Sequence, residues 1–274
     1  MNKFSKITQK QIFLPQDHGS WVFIISPLII GLFAGKNVNV FSIILICACA
    51  AAFLIRQPIT ILIKSFSGRR PGLEPAAAWF WICTYGFVIV VSALLLLYSD
   101  KKELLLLALP AVPVFIWQLL LISRREERKQ IGLEILGTGV LSLAAPAAFW
   151  IGSGHYDSTG WFIWILVWFQ SAASIVYAYL RLTQRQWKEN PSLRSRIWTG
   201  WRAIAYTTFN LGLSILLVSI GKIPGLIWAA FLVQFLESIW GTIKPAINAK
   251  PVSIGMRQLI ISSLFTIIFI STWR

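Results

Sequence analysis

The residues of this sequence with the clearest chemical potential are charged side chains that lie inside long apolar runs. Arg56, Glu134 and Glu237 each lie within such a run, between five and eight residues from a neighbouring lysine, and Arg181 closes a fourth run. At 1.5 Å per residue, these positions lie within roughly 12 Å of one membrane boundary. Because a charge inside a bilayer is costly, each of them is a candidate for a binding or catalytic site.

The residue types indicate recognition of an anion. The guanidinium groups of Arg56 and Arg181 are suited to bidentate hydrogen bonds with a phosphate or carboxylate, without a metal. Glu134 is then a candidate for orienting Arg56 or acting as a base, and His18, which follows Asp17 just before the first apolar run, is a candidate proton carrier. We therefore treat His18 and Glu134 as catalytic candidates, and Arg56 and Arg181 as ligand-binding candidates.

Each of these positions also has a structural explanation. Arg56 can extend to the surface or pair with Glu134, and Glu134 and Glu237 are also typical of counter-ions between packed helices. His18 can be a surface histidine beside an N-cap aspartate, and Arg181 can be an interfacial anchor. These alternatives stay open at the level of sequence.

A further anion-binding candidate is a tight basic loop. Arg69 and Arg70 stand between Gly68 and the Pro71-Gly72 pair, and such a loop can hold a phosphate or a lipid headgroup. The alternative is an ordinary positively charged loop at a membrane surface.

Sequence signatures of known catalytic and metal sites are absent. The chain has no GxSxG, Walker A, HExxH or CxxC sequence and only two histidines, and its three cysteines lack the spacing of a zinc site. We therefore predict no cofactor and no metal.

The elements that must position the candidates are apolar segments. With 57% hydrophobic residues and 13% charged residues in 274 positions, the composition is typical of a membrane protein. Strand-like alternation is absent, so the predicted fold class is all-α: a polytopic bundle of about nine transmembrane helices, in one integral membrane domain covering residues 1–274 with a polar segment at residues 1–19. The predicted spans are residues 20–35, 39–63, 77–98, 104–123, 131–152, 161–182, 203–220, 224–243 and 256–273.

The charges predict an orientation. Lysines and arginines number 19 on the side of the N-terminus and five on the other side, which places the N-terminus in the cytoplasm and, with nine spans, the C-terminus outside a bacterial inner membrane. The net charge of +15 lies in short loops between apolar runs, where it meets lipid headgroups. Membrane lipids are therefore the expected partners, and nucleic acid is not.

Two resemblances add to this reading. The sequence resembles the YwiC-like family of bacterial membrane proteins in three places. These are the run Pro15-Gln16-Asp17-His18-Gly19-Ser20-Trp21, the segment Arg56-Gln57-Pro58, and Glu134 after a basic loop. The layout of nine helices with basic loops after helices 2 and 6 is more distantly similar to the UbiA superfamily of intramembrane prenyltransferases, and that resemblance implies a UbiA-like arrangement of helices.

The second resemblance fails at the residues that would bind a metal. UbiA enzymes hold a prenyl diphosphate through Mg²⁺ at two aspartate-rich motifs, whereas the two matching segments here begin at Arg56 and at Tyr177 and contain no aspartate. Mg²⁺-dependent prenyl transfer is therefore disfavoured.

The leading hypothesis is a cytoplasmic-side charged cavity that binds an isoprenoid or other anionic lipid, in a divergent lipid-modifying enzyme or a binding protein. The alternatives are a transporter of a small anion or metabolite, with Glu134 and Glu237 as proton-coupling carboxylates, and a non-catalytic membrane scaffold.

Overall fold

The protein is described by a computed structural model, which covers residues 10–14, 20–66, 75–123 and 131–273. Every regular element in these ranges is a helix, and no strand occurs in them. Contacts divide the chain into two compact units. The first contains residues 1–18 and 38–133, the second residues 19–37 and 134–274. The predicted all-α, polytopic fold class is confirmed.

In the described residues, the first unit contains five complete α-helices, one 3₁₀ helix and the start of a further α-helix. The complete α-helices are α1 (Lys10–Phe13), α3 (Val40–Leu54), α4 (Arg56–Phe66), α5 (Pro75–Tyr98) and α6 (Ala108–Ser123); the 3₁₀ helix (Lys102–Leu107) precedes α6, and the first residues of α7 (Ile131–Ser142) complete the unit. The long helix α5 packs against α3 and α4, and α6 packs against α4. A bend at Ile55 separates α3 from α4 because Pro58 has no amide hydrogen for the carbonyl of Leu54.

The second unit contains most of the polar side chains that are buried. Its helices are α2 (Val22–Ala34), the rest of α7, α8 (Ala144–Ser153), α9 (Thr159–Gln184), α10 (Leu193–Ser219), α11 (Trp228–Ile243) and α12 (Pro251–Thr272). Helix α9 contacts α2, α8, α10, α11 and α12, so it forms the centre of this unit. Pro146 bends the stretch formed by α7 and α8 at Leu143, in the same way as Pro58 does in the first unit.

The lengths of the helices support nine apolar segments. In the ranges that the structure describes, seven helical stretches are long and apolar enough to cross a bilayer, and two shorter apolar helices, Val22–Ala34 and Trp228–Ile243, add to them. These nine stretches coincide with the nine predicted spans. The largest difference is α10, which begins at Leu193, ten residues before the predicted start. The orientation in the membrane and the single-domain organisation stay predictions.

Small residues bring α2 and α8 into close contact. A Cβ atom added to Gly31 would lie 2.2 Å from the carbonyl oxygen of Ala145, and one added to Gly35 would lie 2.9 Å from Cα of Gly152. Only glycine permits this approach of two backbones, and such crossings are typical of helix pairs that associate in lipid.

One face of α9 positions the polar interior. Gln170, Ser174, Tyr177, Arg181 and Gln184 recur at intervals of three or four residues, and all five are buried. This spacing places them on one side of the helix. They face the polar groups of α11 and α12 through the hydrogen bonds described below.

Candidate functional site

Glu237 of α11 is a buried carboxylate on which polar groups from two other helices converge. The hydroxyl of Tyr177 on α9 donates to Glu237 Oε1 at 2.7 Å. Arg257 of α12 donates to both carboxylate oxygens, from Nε to Oε1 at 2.5 Å and from Nη2 to Oε2 at 2.8 Å. Three helices are thus joined at one carboxylate. Together with Trp240, these residues form what we call the Glu237 cluster.

The two charges of this ion pair differ in exposure. The side chain of Glu237 is 8% exposed, whereas that of Arg257 is 38% exposed. The guanidinium carbon of Arg257 lies 3.6 Å from the ring centroid of Trp240, a cation–π contact that gives the cation a second partner beside the carboxylate. Arg257 therefore reaches a buried acid from the border of the second unit.

Helix geometry explains why Glu237 and Arg257 meet. Helices α11 and α12 are connected by the short segment 244–250 and pack against each other. Glu237 precedes the end of α11 by six residues, and Arg257 follows the start of α12 by six residues. At equal rise per residue, the two side chains lie at the same height above the connection.

A small cavity adjoins the cluster. Its walls carry the side chains of Ser174, Tyr177, Thr207, Gln234, Glu237, Gln258 and Ile261. Its volume of about 10 Å³ is room for about one water molecule. The cavity therefore places a water-sized space beside Gln234 and Glu237.

An unsatisfied amide oxygen lines this cavity. Gln234 is 5% exposed, and its Nε2 donates to the carbonyl of Gln170 at 2.9 Å and to the hydroxyl of Ser174 at 3.0 Å. Its Oε1 and the hydroxyl of Ser238 have no hydrogen-bond partner in the described part of the protein. Because an unpaired buried polar atom is costly, Gln234 Oε1 indicates a place for a donor in this cavity.

The structure gives Arg181 partners on α11. The guanidinium is buried, and Nη1 donates to the carbonyl oxygens of Gly241 at 2.8 Å and Lys244 at 2.7 Å, and to the side chain of Gln184 at 3.0 Å. These carbonyls belong to the C-terminal end of α11, where a helix lacks its own donors and favours a cation. Arg181 thus fixes the end of the helix that carries Glu237, and its predicted role as a lipid ligand stays a prediction.

Glu134 and Arg56 lie in different units, and each has a neighbour in its own unit. Tyr179 donates to Glu134 Oε1 at 2.7 Å. With the amide of Gln118 oriented so that its oxygen faces the guanidinium, this oxygen accepts from Arg56 Nε at 2.7 Å and from Nη2 at 3.1 Å. The predicted pairing of Arg56 with Glu134 and the predicted roles of both residues stay predictions.

The remaining predicted site residues, His18, Arg69 and Arg70, lie outside the described residues. Within the described ranges, no group of three or more His, Cys, Asp or Glu residues has the arrangement of a metal site.

Comparison with known proteins relates part of the chain to a family. Residues 14–149, which are 136 of the 274 residues, match the model of the family described as YwiC-like protein. The chain is similar to a protein of Bacillus subtilis (strain 168) named "Uncharacterized protein YwiC", with 24% identity over 213 residues, which are 72% of this chain and 83% of the relative. No solved structure matches the chain significantly.

The match to the YwiC-like model bears on two earlier expectations. The predicted YwiC-like resemblance is confirmed, whereas the UbiA-like arrangement stays a prediction. The matched range ends at residue 149, so the Glu237 cluster lies beyond the part of the chain that the YwiC-like model covers.

Sequence reasoning missed several members of the site. It assigned no role to Arg257, Gln234 or Trp240. The signal available was the equal distance of Glu237 and Arg257 from the connection between their helices. A search of the sequence for apolar runs does not use this distance, because it treats each predicted span separately.

Proposed function

We propose that this membrane protein is a transporter that moves a small anion together with a proton, with Glu237 as the proton acceptor and Arg257 as the anion ligand. The observation that carries the proposal is the Glu237–Arg257 ion pair, which joins two helices beside a small cavity with polar side chains in its walls. Intramembrane ionisable groups that face a polar cavity commonly belong to ion or substrate pathways.

The coupling follows from charge balance. While Glu237 is ionised, it holds Arg257 through two charge-assisted hydrogen bonds. A proton on Glu237 removes the negative partner and leaves a partly buried guanidinium, which is a costly state. An entering carboxylate or phosphate would accept the same two hydrogen bonds. Proton and anion therefore occupy the site together or not at all.

The surroundings of the pair fit such an exchange. Trp240 stacks on Arg257 and so keeps the guanidinium in place when its carboxylate partner is neutralised. Tyr177 donates to Glu237 and is positioned to bond either protonation state of the acid. The unpaired Gln234 Oε1 can accept from the proton of a neutral Glu237 after a change of rotamer.

The competing explanation is that the ion pair is only an interhelical contact. Burying a charge pair is not in general more stabilising than apolar packing, so stability alone does not account for it. The cavity beside Gln234 and Glu237 gives the pair access to about one water molecule, which a purely structural contact does not need. We therefore favour transport over a scaffold.

Proton uptake driven by an anion gradient tests the proposal. Purified protein in liposomes that contain a pH-sensitive dye is exposed to an inward gradient of chloride, inorganic phosphate or acetate, with electrical leaks controlled by valinomycin and potassium. We expect at least one anion to acidify the lumen more than it does in protein-free liposomes, which give the passive entry of acetic acid. Glu237→Gln should abolish anion-driven acidification while radiolabelled anion exchange persists, because glutamine mimics the protonated acid.

Glu189→Gln serves as the matched control, since Glu189 is exposed in the loop between α9 and α10. This variant should acidify like the wild type. Acidification that is equal in wild type and Glu237→Gln, or absent for all three anions in wild type, would contradict the proposal.

The lipid hypothesis from the sequence is the alternative proposal. In it, Arg56, Arg181, Arg69 and Arg70 bind an isoprenoid or other anionic lipid, with His18 and Glu134 as catalytic groups. It has less support than transport because Nη1 of Arg181 is engaged by two backbone carbonyls and an amide. A lipid that co-purifies with wild type and is lost in Arg56→Ala would favour it.

A further inference from the structure

Helix α10 begins with a basic and aromatic segment that lies outside the Glu237 cluster. This segment, residues 193–202, reads LRSRIWTGWR. The helix has 27 residues and is about 40 Å long at 1.5 Å per residue, whereas the hydrocarbon core is about 30 Å thick. About a quarter of the helix therefore extends beyond the hydrocarbon core into the headgroup region, and the polar segment is the end that fits there.

The outward face of the segment combines charge with large apolar side chains. Arg194, Trp198 and Arg202 recur every four residues, which places them on one side of the helix. All three are exposed, and Trp198 is 78% exposed. The guanidinium carbon of Arg202 lies 5.9 Å from the ring centroid of Trp201. Tryptophan beside arginine is the combination found at membrane interfaces.

The same segment borders an open hollow. Its lining residues are Ser192, Leu193, Arg194, Ser195, Ile197 and Trp198, all at the start of α10. The hollow is a shallow depression that is open to the surroundings. Its walls alternate an arginine and two hydroxyls with leucine, isoleucine and tryptophan, a mixture that suits a phosphate attached to acyl chains.

The neighbouring arginine has a structural role. Arg196 donates from Nε to the carbonyl of Pro191 at 2.9 Å and from Nη1 to that of Ile243 at 2.6 Å. These bonds fix the start of α10 against the end of α11, so the outward face is presented by a rigid segment. No aspartate or glutamate occurs in the sequence between Glu189 and Glu237, so the segment has a uniform positive sign.

From this face we propose that residues 193–202 form a binding site for the headgroup of an anionic glycerophospholipid. Arg194 and Arg202 contact the lipid phosphate, and Trp198 packs on the glycerol and upper acyl chains. The site gives the protein a preference for anionic over zwitterionic lipid at this position. It does not depend on the proposed transport function.

Native mass spectrometry of the purified full-length protein tests the site. Phosphatidylglycerol and phosphatidylcholine are added separately, and the dissociation constant of the first bound lipid is measured. We expect Arg194→Gln with Arg202→Gln to weaken phosphatidylglycerol binding about fivefold for each arginine, and to leave phosphatidylcholine binding unchanged. Arg194→Lys with Arg202→Lys should retain most of the preference, since the charge remains.

A matched control removes two charges elsewhere. The double variant Lys101→Gln with Lys222→Gln changes residues in loops on the predicted opposite side of the membrane. It should leave the preference for phosphatidylglycerol over phosphatidylcholine intact. Trp198→Ala should weaken the binding of phosphatidylglycerol. Inorganic phosphate, which has no acyl chains for Trp198 to contact, should compete with phosphatidylglycerol for this variant as well as it does for the wild type. The proposed site is wrong if Arg194→Gln with Arg202→Gln binds phosphatidylglycerol like the wild type, or if it binds both lipids more weakly to the same extent. It is also wrong if Lys101→Gln with Lys222→Gln weakens phosphatidylglycerol binding as much as the arginine double variant does.

Discussion

At the scale of single residues, Glu237 has the environment of a carboxylate that can exchange partners. It accepts hydrogen bonds from a phenol and a guanidinium, and one of these donors reaches it from the border of the unit. Removing only one partner from a buried pair leaves an uncompensated charge. Arg257→Ala should accordingly lower the free energy of unfolding far more than Glu237→Gln does, because it leaves the buried carboxylate without its cation.

Gly241 provides a steric test of the contact between Tyr177 and Glu237. A Cβ atom at Gly241 would lie 2.1 Å from the Tyr177 hydroxyl and 2.6 Å from its Cε2. Gly241→Ala should displace the phenol, remove its bond to Glu237 and lower the free energy of unfolding by about 1–3 kcal/mol. Anion-driven proton uptake should fall in parallel.

The measurement is thermal unfolding in detergent together with the liposome assay. Gly212→Ala is the matched control, because no atom lies within 4 Å of the added Cβ and alanine favours a helix more than glycine does. An unfolding temperature in Gly241→Ala equal to that of Gly212→Ala would show that Tyr177 is not held where the structure places it.

The chemistry of the site was only partly predictable at this scale. Glu237 was recognised from the cost of a charge in lipid, and Arg181 from its place at the end of a span. The sequence did not predict the partners of either residue or the cavity beside Glu237, because these depend on which helix faces pack against each other. Arg257 has the same sign and spacing as a surface charge until α11 and α12 are placed side by side.

At the scale of helices, boundaries follow from apolar length where the ends are apolar. The predicted span 131–152 agrees closely with the stretch Ile131–Ser153 formed by α7 and α8. The start of α10 was predicted ten residues too late, because hydropathy rejects a segment with three arginines. The hydrogen bonds of Arg196 and the N-cap of Ser192 extend the helix into that polar region.

The crossing of α2 and α8 gives a prediction about packing. A Cβ atom at Gly31 would lie 2.2 Å from the backbone oxygen of Ala145 and 2.8 Å from Cβ of Ala148. Because a backbone atom cannot move without its helix, Gly31→Ala should destabilise the protein by about 1–3 kcal/mol. Thermal unfolding of the purified protein measures this effect.

Gly137→Ala is the control for this crossing. Gly137 lies in α7, and its added Cβ would meet no atom within 4 Å. This variant should be neutral or slightly stabilising. Equal unfolding temperatures for the two variants would mean that α2 does not approach α8 as closely as described.

At the scale of the whole molecule, composition and run lengths are enough to predict a helical membrane protein with nine apolar segments. The resemblance to the YwiC-like family was also predictable from residues in the first half of the chain, and the match to residues 14–149 confirms that resemblance. The division into two units was not predictable, since it depends on contacts between segments far apart in sequence. Residues 19–37 belong with residues 134–274 and are separated from them in sequence by the first unit.

The two units also differ in character. Across its candidate spans, the first unit buries a small share of its residues, whereas the stretches Ile131–Ser153 and Thr159–Gln184 of the second unit are mostly buried and its stretches Leu193–Ser219 and Pro251–Thr272 are mostly not. The buried polar face of α9 and the Glu237 cluster both lie in the second unit. Lipid can cover the apolar faces that the first unit exposes.

The most direct test of the account is whether anion binding protonates Glu237. Infrared difference spectra of the purified protein are recorded at fixed pH as chloride, inorganic phosphate or isotopically shifted acetate is added. We expect the C=O band of a protonated carboxyl to appear in wild type with a transported anion, and to be absent from Glu237→Gln. A band that persists in Glu237→Gln, or wild-type spectra without any carboxyl change while the anion binds, would contradict coupled proton and anion binding at this site.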